Sequence, residues 1–79
     1  MDIEVRLYHT LVKLLPPGGE GYQICVEVSA GTTAGQALIQ LGVEEPDQVL
    51  IFVNGVRVPA HHELSEGDVL GAMLPAGGG

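Results

Sequence analysis

Residues 49–58 read VLIFVNGVRV, and the pair at the centre, Asn54 and Gly55, governs how the rest of the chain is read. Asn-Gly between two apolar runs marks a two-residue type I′ hairpin turn, because both residues tolerate the positive φ that such a turn requires. A two-residue turn also sets register, so Val53 should face Val56, Phe52 should face Arg57 and Ile51 should face Val58. Successive side chains of a strand point to opposite sides. Ile51, Val53, Val56 and Val58 therefore form one apolar set that belongs in a core. Phe52 and Arg57 fall on the other side, with Leu50 beside them by parity. An outward aromatic next to an arginine is typical of an interface anchor, which makes Phe52, Arg57 and Leu50 candidate partner-binding residues. One exposed aromatic on a surface hairpin is equally ordinary. Pro59 ends the second strand.

Upstream, DIEVRLY (residues 2–8) alternates, with Ile3, Val5 and Leu7 on one face and Glu4, Arg6 and Tyr8 on the other. YQICVEV (residues 22–28) alternates in the same way, placing Tyr22, Ile24, Val26 and Val28 together opposite Gln23, Cys25 and Glu27. LLPPGGEG (residues 14–21) joins the two as a turn region. The period then changes. In GTTAGQALIQLGV (residues 31–43), Ala34, Ala37, Leu38 and Leu41 recur at helical spacing. Thr33 with Gln36 forms a capping-box pattern and Gly42 is placed to end the helix. The spacing predicts a short helix over 34–41, weakened by Gly35 and held by packing on a sheet. EEPDQ (residues 44–48) is an acidic loop, SEGD (residues 65–68) a turn, and VLGAML (residues 69–74) a last strand. The expected class is α+β, a mixed four- to five-stranded sheet with one helix across one face and with the first and last strands central and adjacent.

The chain has 79 residues, enough for one domain. With one cysteine, Cys25, it has no intramolecular disulfide. The formal net charge is −7 and the cations are Arg6, Lys13 and Arg57. So few dispersed cations cannot form a phosphate-binding stripe, which argues against nucleic acid, and an anionic membrane surface should repel the chain. No apolar run approaches the ~20 residues of a membrane span, and the opening residues do not resemble a signal peptide. The expectation is a cytoplasmic protein whose partner is basic where they touch. His9, His61 and His62 lack ligand spacing, so no metal site is expected. Cys25 has no cation placed to activate it and reads as an ordinary thiol. Glu44, Glu45, Asp47, Glu63, Glu66 and Asp68 read as solvated loop charges, or as a surface for a basic partner.

The sequence closes on LPAGGG, residues 74–79. Glycines there contribute no packing and are costly to order, so residues 75–79 are expected to form a flexible tail beyond a domain at 1–74. GTTAGQAL opening the helix, VNG in the hairpin, EGD before the last strand and the terminal Gly-Gly come in the order, and at the spacing, of the MoaD/ThiS family, which the whole chain resembles. Singly these motifs say little; VNG alone is a turn. The length and the extended loop at residues 14–21 are closer to the molybdopterin-synthase small-subunit branch. Before the tail this chain reads AMLPAGGG, with Met73 and a single proline, Pro75, where the family commonly has aromatic residues and paired prolines.

The resemblance implies a β-grasp, ubiquitin-like fold and a carrier that is a co-substrate and not an enzyme. Its implied reactive group is the C-terminal carboxylate of Gly79, adenylylated with ATP by a ubiquitin-activating-type adenylyltransferase (MoeB/ThiF-like) and then converted to a thiocarboxylate by a sulfur donor enzyme. Gly77, Gly78 and Pro75 would enter the partner's channel, and Met73 would join the partner-binding residues. No cofactor is expected on the chain itself. A larger synthase subunit (MoaE-like) would receive the sulfur, most readily for molybdenum or tungsten cofactor. The same activated glycine would serve a ubiquitin-like modifier joined to lysines, and a β-grasp interaction module without tail chemistry is a third reading.

Overall fold

A computed structural model describes residues 1–17, 19 and 21–75. Its strands are β1 (Asp2–Leu7), β2 (Gln23–Glu27), β3 (Leu50–Val53), β4 (Val56–Arg57) and β5 (Val69–Met73), with one α-helix, α1 (Ala34–Gln40). They form a five-stranded sheet in the order β2-β1-β5-β3-β4. β1 and β5 lie side by side at its centre and run parallel, while the other pairings are antiparallel. This is the mixed sheet expected from the sequence. The alternation in β1 buries Ile3, Val5 and Leu7, and β5 adds Leu70 and Ala72 to the same side. The core is aliphatic throughout, with Leu38 and Ala37 of α1 meeting Ile51 and Val53 of the hairpin in one cluster.

The helix is short, and its ends explain why it forms. Thr33 Oγ1 accepts from the Gln36 N–H at 3.2 Å and Gln36 Oε1 accepts from the Thr33 N–H at 3.0 Å, completing the capping box. The next free donors, the N–H groups of Ala34 and Gly35, reach the carbonyls of His62 and Ala60, each at 2.8 Å. This last contact is the reason for the glycine: a Cβ on Gly35 would lie 3.0 Å from the Ala60 Cβ. A position that weakens the isolated helix lets a loop approach it closely. At the other end Gly42, at φ 106°, carries the chain out. Its N–H reaches the Ile39 carbonyl and that of Val43 reaches Leu38, each at 3.0 Å, a Schellman closure.

The hairpin register is as expected, Phe52 opposite Arg57 and Val53 opposite Val56, with the Val58 N–H on the Ile51 carbonyl at 3.0 Å. One member of its apolar set is not in the core. Val56 is 64% exposed, because β4 is a two-residue edge strand that nothing overhangs at its tip. The assignment of Tyr22 also needs correction. It precedes β2, in a turn where Gly21 has φ 61°, and its ring leaves the core side to pack on Tyr8 with centroids 5.2 Å apart. Between β1 and β2 the chain forms a 3-10 helix, His9–Leu14, which the turn-rich sequence did not announce. Leu11, Leu14 and Leu15 close the end of the core there.

Asn54 does more than turn the chain. At φ 53°, its Nδ2 donates to Asp68 Oδ1 and its Oδ1 accepts from the Val69 N–H, both at 3.0 Å. Asp68 in turn accepts from the Ser65 N–H at 2.8 Å, and Glu66 accepts from the Asp2 N–H at 3.0 Å. Two residues read as solvated charges thus tie the SEGD turn to its neighbours, and VNG and EGD are two halves of one clasp. Asn54→Ala is expected to cost about 1–3 kcal/mol, from the lost hydrogen bonds and the strain of a left-handed alanine. Asn54→Gly should recover only the backbone part. Equal denaturation midpoints for Asn54→Gly and wild type would show that the side-chain clasp contributes nothing.

Candidate functional site

With α1 on one side of the sheet, the other side lies open. Strand pairing places Gln23, Arg6, Gly71, Phe52 and Arg57 in one row across all of its strands. In the next row Met73 stands opposite Leu50, and Tyr8 follows β1 with its N–H on the Ala72 carbonyl at 3.1 Å. The candidates Phe52, Arg57, Leu50 and Met73 therefore share one face. Arg57 is exposed, whereas Phe52, Leu50 and Met73 are half-buried among their neighbours.

The centre of this face is a hollow of about 190 Å³ over Gly71, walled by Arg6, Tyr8, Phe52, Val69 and Met73. Glycine makes the hollow. A Cβ at residue 71 would sit 3.6 Å from Tyr8 Cε2 and 3.9 Å from the Phe52 Cβ, filling its floor. A second depression, lined by His9, Thr10, Leu50, Met73, Leu74 and Pro75, adjoins it through Met73. An apolar strip thus runs from Phe52 past Met73 and Leu50 to Leu74, which is 41% exposed, and ends at Pro75. The remaining tail candidates, Gly77, Gly78 and Gly79, lie outside the described residues.

The charges on this face are unevenly placed. Arg6 Nε donates to Glu4 Oε2 in an ion pair. This hydrogen bond raises the Arg6 pKa above its ordinary value. Asp2 and Glu27 pair at the far corner of the face. Arg57, at the opposite edge, makes no ion pair among the described residues.

Parity from the hairpin was enough to put Phe52, Arg57 and Leu50 on this face. It missed Tyr8, Arg6 and Gly71, although β1 alternation had already put the first two on the outward side. Gly71 carried no local signal: its importance comes from standing opposite Phe52 and Arg6 in two different strands. Cys25 is exposed and pairs across β2 and β1 with Glu4. The described residues contain no group of His, Cys, Asp and Glu suited to a metal ion, and no described helix is long and apolar enough to cross a membrane. What the face offers is contact: aromatic, thioether and guanidinium groups around a shallow floor.

The fold has counterparts among known proteins. Residues 19–79 match the family model described as the ThiS family. The comparison with curated proteins gives no match. Among solved structures, SAMP1 from Haloferax volcanii is similar with a TM-score of 0.74 at 22% identity, covering 100% of both chains. A putative molybdopterin converting factor subunit 1 from Pyrococcus furiosus gives a TM-score of 0.73 at 21% identity, covering 95% of this chain and 98% of that one. A structure of the complex between subunits 1 and 2 of the molybdopterin-converting factor from Helicobacter pylori contains a similar chain, with a TM-score of 0.61 at 20% identity and 100% of both chains covered. At such identities the likeness is one of fold, the β-grasp fold expected from the sequence.

Proposed function

The chain belongs to the ThiS family, and on that premise we propose that it is a sulfur carrier whose reactive group is the main-chain carboxylate of Gly79. A carboxylate is a poor acyl donor. Attack of its oxygen on the α-phosphorus of ATP, with loss of pyrophosphate, turns it into an acyl adenylate with AMP as a good leaving group. Sulfide-level sulfur from a donor enzyme then displaces AMP and leaves a thiocarboxylate. The adenylyltransferase supplies the chemistry, while the carrier supplies the carboxylate and a surface by which to be recognised.

The observation that carries this reading is the continuity of the apolar strip with the tail. From Phe52 the strip reaches Pro75, so a partner seated on the open face lies beside the point where the tail begins. The four residues beyond Pro75 can span up to roughly 14 Å when extended, and glycines pass through a channel too narrow for other residues. The likeness to molybdopterin-converting factor subunits favours a larger synthase subunit as receiver and a molybdenum or tungsten cofactor as product. In the test, the chain is incubated with ATP, the ubiquitin-activating-type enzyme of its own genome and a sulfur donor. The intact mass should rise by one oxygen-to-sulfur exchange located in the C-terminal peptide. Sulfur on Cys25 instead would exclude the mechanism.

A second reading is favoured by the likeness to SAMP1, the small archaeal modifier protein 1 of H. volcanii: the same activated Gly79 would form an isopeptide bond with lysine. Conjugates that resist reductant on a denaturing gel would support it, and their absence under both sulfur-starved and sulfur-replete growth would rule it out. A pure interaction module would keep its function when Gly78 and Gly79 are deleted.

A further inference from the structure

Asn54 is the only asparagine of the chain, and a glycine follows it. Both residues are exposed at the hairpin tip, and nothing stands within 4 Å of where a side chain on Gly55 would begin. An asparagine followed by glycine can cyclise, because no side chain shields the glycine nitrogen. That nitrogen gives up its proton to base and attacks Cγ. The Cγ–Nδ2 bond breaks, ammonia leaves with a proton from water, and a succinimide remains. Water then opens the ring at either carbonyl, to aspartate or to isoaspartate. The balance is amide plus water to carboxylic acid plus ammonia, with no redox step. Here the amide is held back from that attack. Its Oδ1 accepts from the Val69 N–H and its Nδ2 donates to Asp68 Oδ1, both at 3.0 Å. Attack on Cγ comes from above or below the amide plane, so the side chain must turn away from β5 first. Nδ2, the leaving group, is the atom that Asp68 holds. Asp68 is itself fixed, its other oxygen accepting from the Ser65 N–H at 2.8 Å.

We propose that Asn54 is a modification site, a spontaneous deamidation whose rate Asp68 restrains, and that the product opens the clasp for good. An ionised aspartate at position 54 has acceptors only. One of its oxygens can stay on the Val69 N–H, but the other faces Asp68 Oδ1, where Nδ2 had donated. Two carboxylates at hydrogen-bonding distance repel. The isoaspartate product adds a methylene to the main chain, and a two-residue turn so lengthened loses the geometry that sets Phe52 opposite Arg57. Either way the loss falls on the head of β5, which the tip also holds through the Asn54 N–H on the Val69 carbonyl at 2.9 Å. A domain this small has little stability in reserve, so the older copies of the chain become the ones that unfold and are cleared. None of this involves Gly79, and it stands or falls apart from the carrier reading.

The test is to age wild type and Asp68→Ala, both folded, in mildly alkaline buffer. Two readouts are followed: the mass gained when NH2 is replaced by OH, located by fragmentation to residue 54, and methyl transfer by an isoaspartate-specific methyltransferase. Wild type should gain both signals slowly and Asp68→Ala about tenfold faster, the factor expected when one hydrogen bond to a charged group is lost. In strong denaturant the two chains should react at the same rate, because residue 68 is then nowhere near residue 54. Asp68→Asn keeps a polar side chain in the turn and serves if alanine disturbs folding; it too should react faster than wild type. The product is tested by substitution. Asn54→Asp should lower the denaturation midpoint, and Asn54→Asp combined with Asp68→Asn should recover much of the loss, since an amide at 68 can then donate to the carboxylate at 54. No deamidation at residue 54 in any folded chain, equal folded-state rates for wild type and both Asp68 variants, or a rate difference that persists in denaturant would each overturn the proposal. So would an Asn54→Asp chain as stable as wild type, or a double variant no more stable than Asn54→Asp alone.

Discussion

Leu38→Ala is expected to lower the stability of this domain by about 2–4 kcal/mol. Leu38 is fully buried and joins α1 to the inner side of the sheet. Its truncation removes apolar burial and leaves a cavity that neighbours cannot refill, because the helix is fixed at both ends. The capping box and the carbonyls of Ala60 and His62 hold its first turn, and Gly42 and Val43 hold its last. In a chain of 79 residues the loss is a large part of the whole stability, and the melting temperature should fall by roughly 10–25 °C. Ile39, the next residue, is 54% exposed, and Ile39→Ala should cost well under half as much. Urea denaturation of both variants decides the matter. A change below about 0.5 kcal/mol for Leu38→Ala would mean that the helix does not pack as described.

One residue added after Gly79 should abolish thiocarboxylation altogether, the largest effect expected on activity. The extended chain has a carboxylate, but in the proposed mechanism it lies one residue beyond the point where an adenylyltransferase would align acyl oxygen and α-phosphorus, and misplacement of reacting atoms by even ~1 Å costs on the order of a hundredfold. Gly78→Val should impair the reaction severely for a different reason: its branched side chain stiffens the backbone and widens the segment that the proposed mechanism threads through the partner's channel. The core and the sheet lie within the described residues, so the melting temperature of this variant should be unchanged. Cys25→Ser should react like wild type, because the proposed mechanism places the sulfur on the Gly79 carboxylate and makes no use of that exposed thiol. The measurement is intact mass after a fixed reaction time. An extended chain that reacts as fast as the native one would refute activation at Gly79.

Local chemistry determined much of this protein. Asn54 and Gly55 set the hairpin register through turn geometry alone. Thr33, Gln36 and Gly42 bounded the helix through interactions within a few residues. Alternation in β1 named Ile3, Val5 and Leu7 as core, and the parity of Phe52 and Arg57 put them on the outward side. Tertiary structure decided whatever depended on which strands became neighbours. Val56 has the same pattern as Val53, yet it sits on an edge strand that nothing covers. Tyr22 follows strand parity on paper, but the turn at Gly21 releases it to pack on Tyr8. Gly35 looks like a defect in a helix until Ala60, far along the chain, comes so close that a Cβ on residue 35 would crowd it. Asn54 and Asp68 become one clasp only because the hairpin tip folds onto the turn before β5. The hollow over Gly71 is the clearest case. Gly71 is a floor because β1 and β3, remote in sequence, flank β5 and bring Tyr8 and Phe52 to either side of it. Periodicity reports which way a side chain points from its own strand; what stands beside it is settled by burial of the whole apolar set at once.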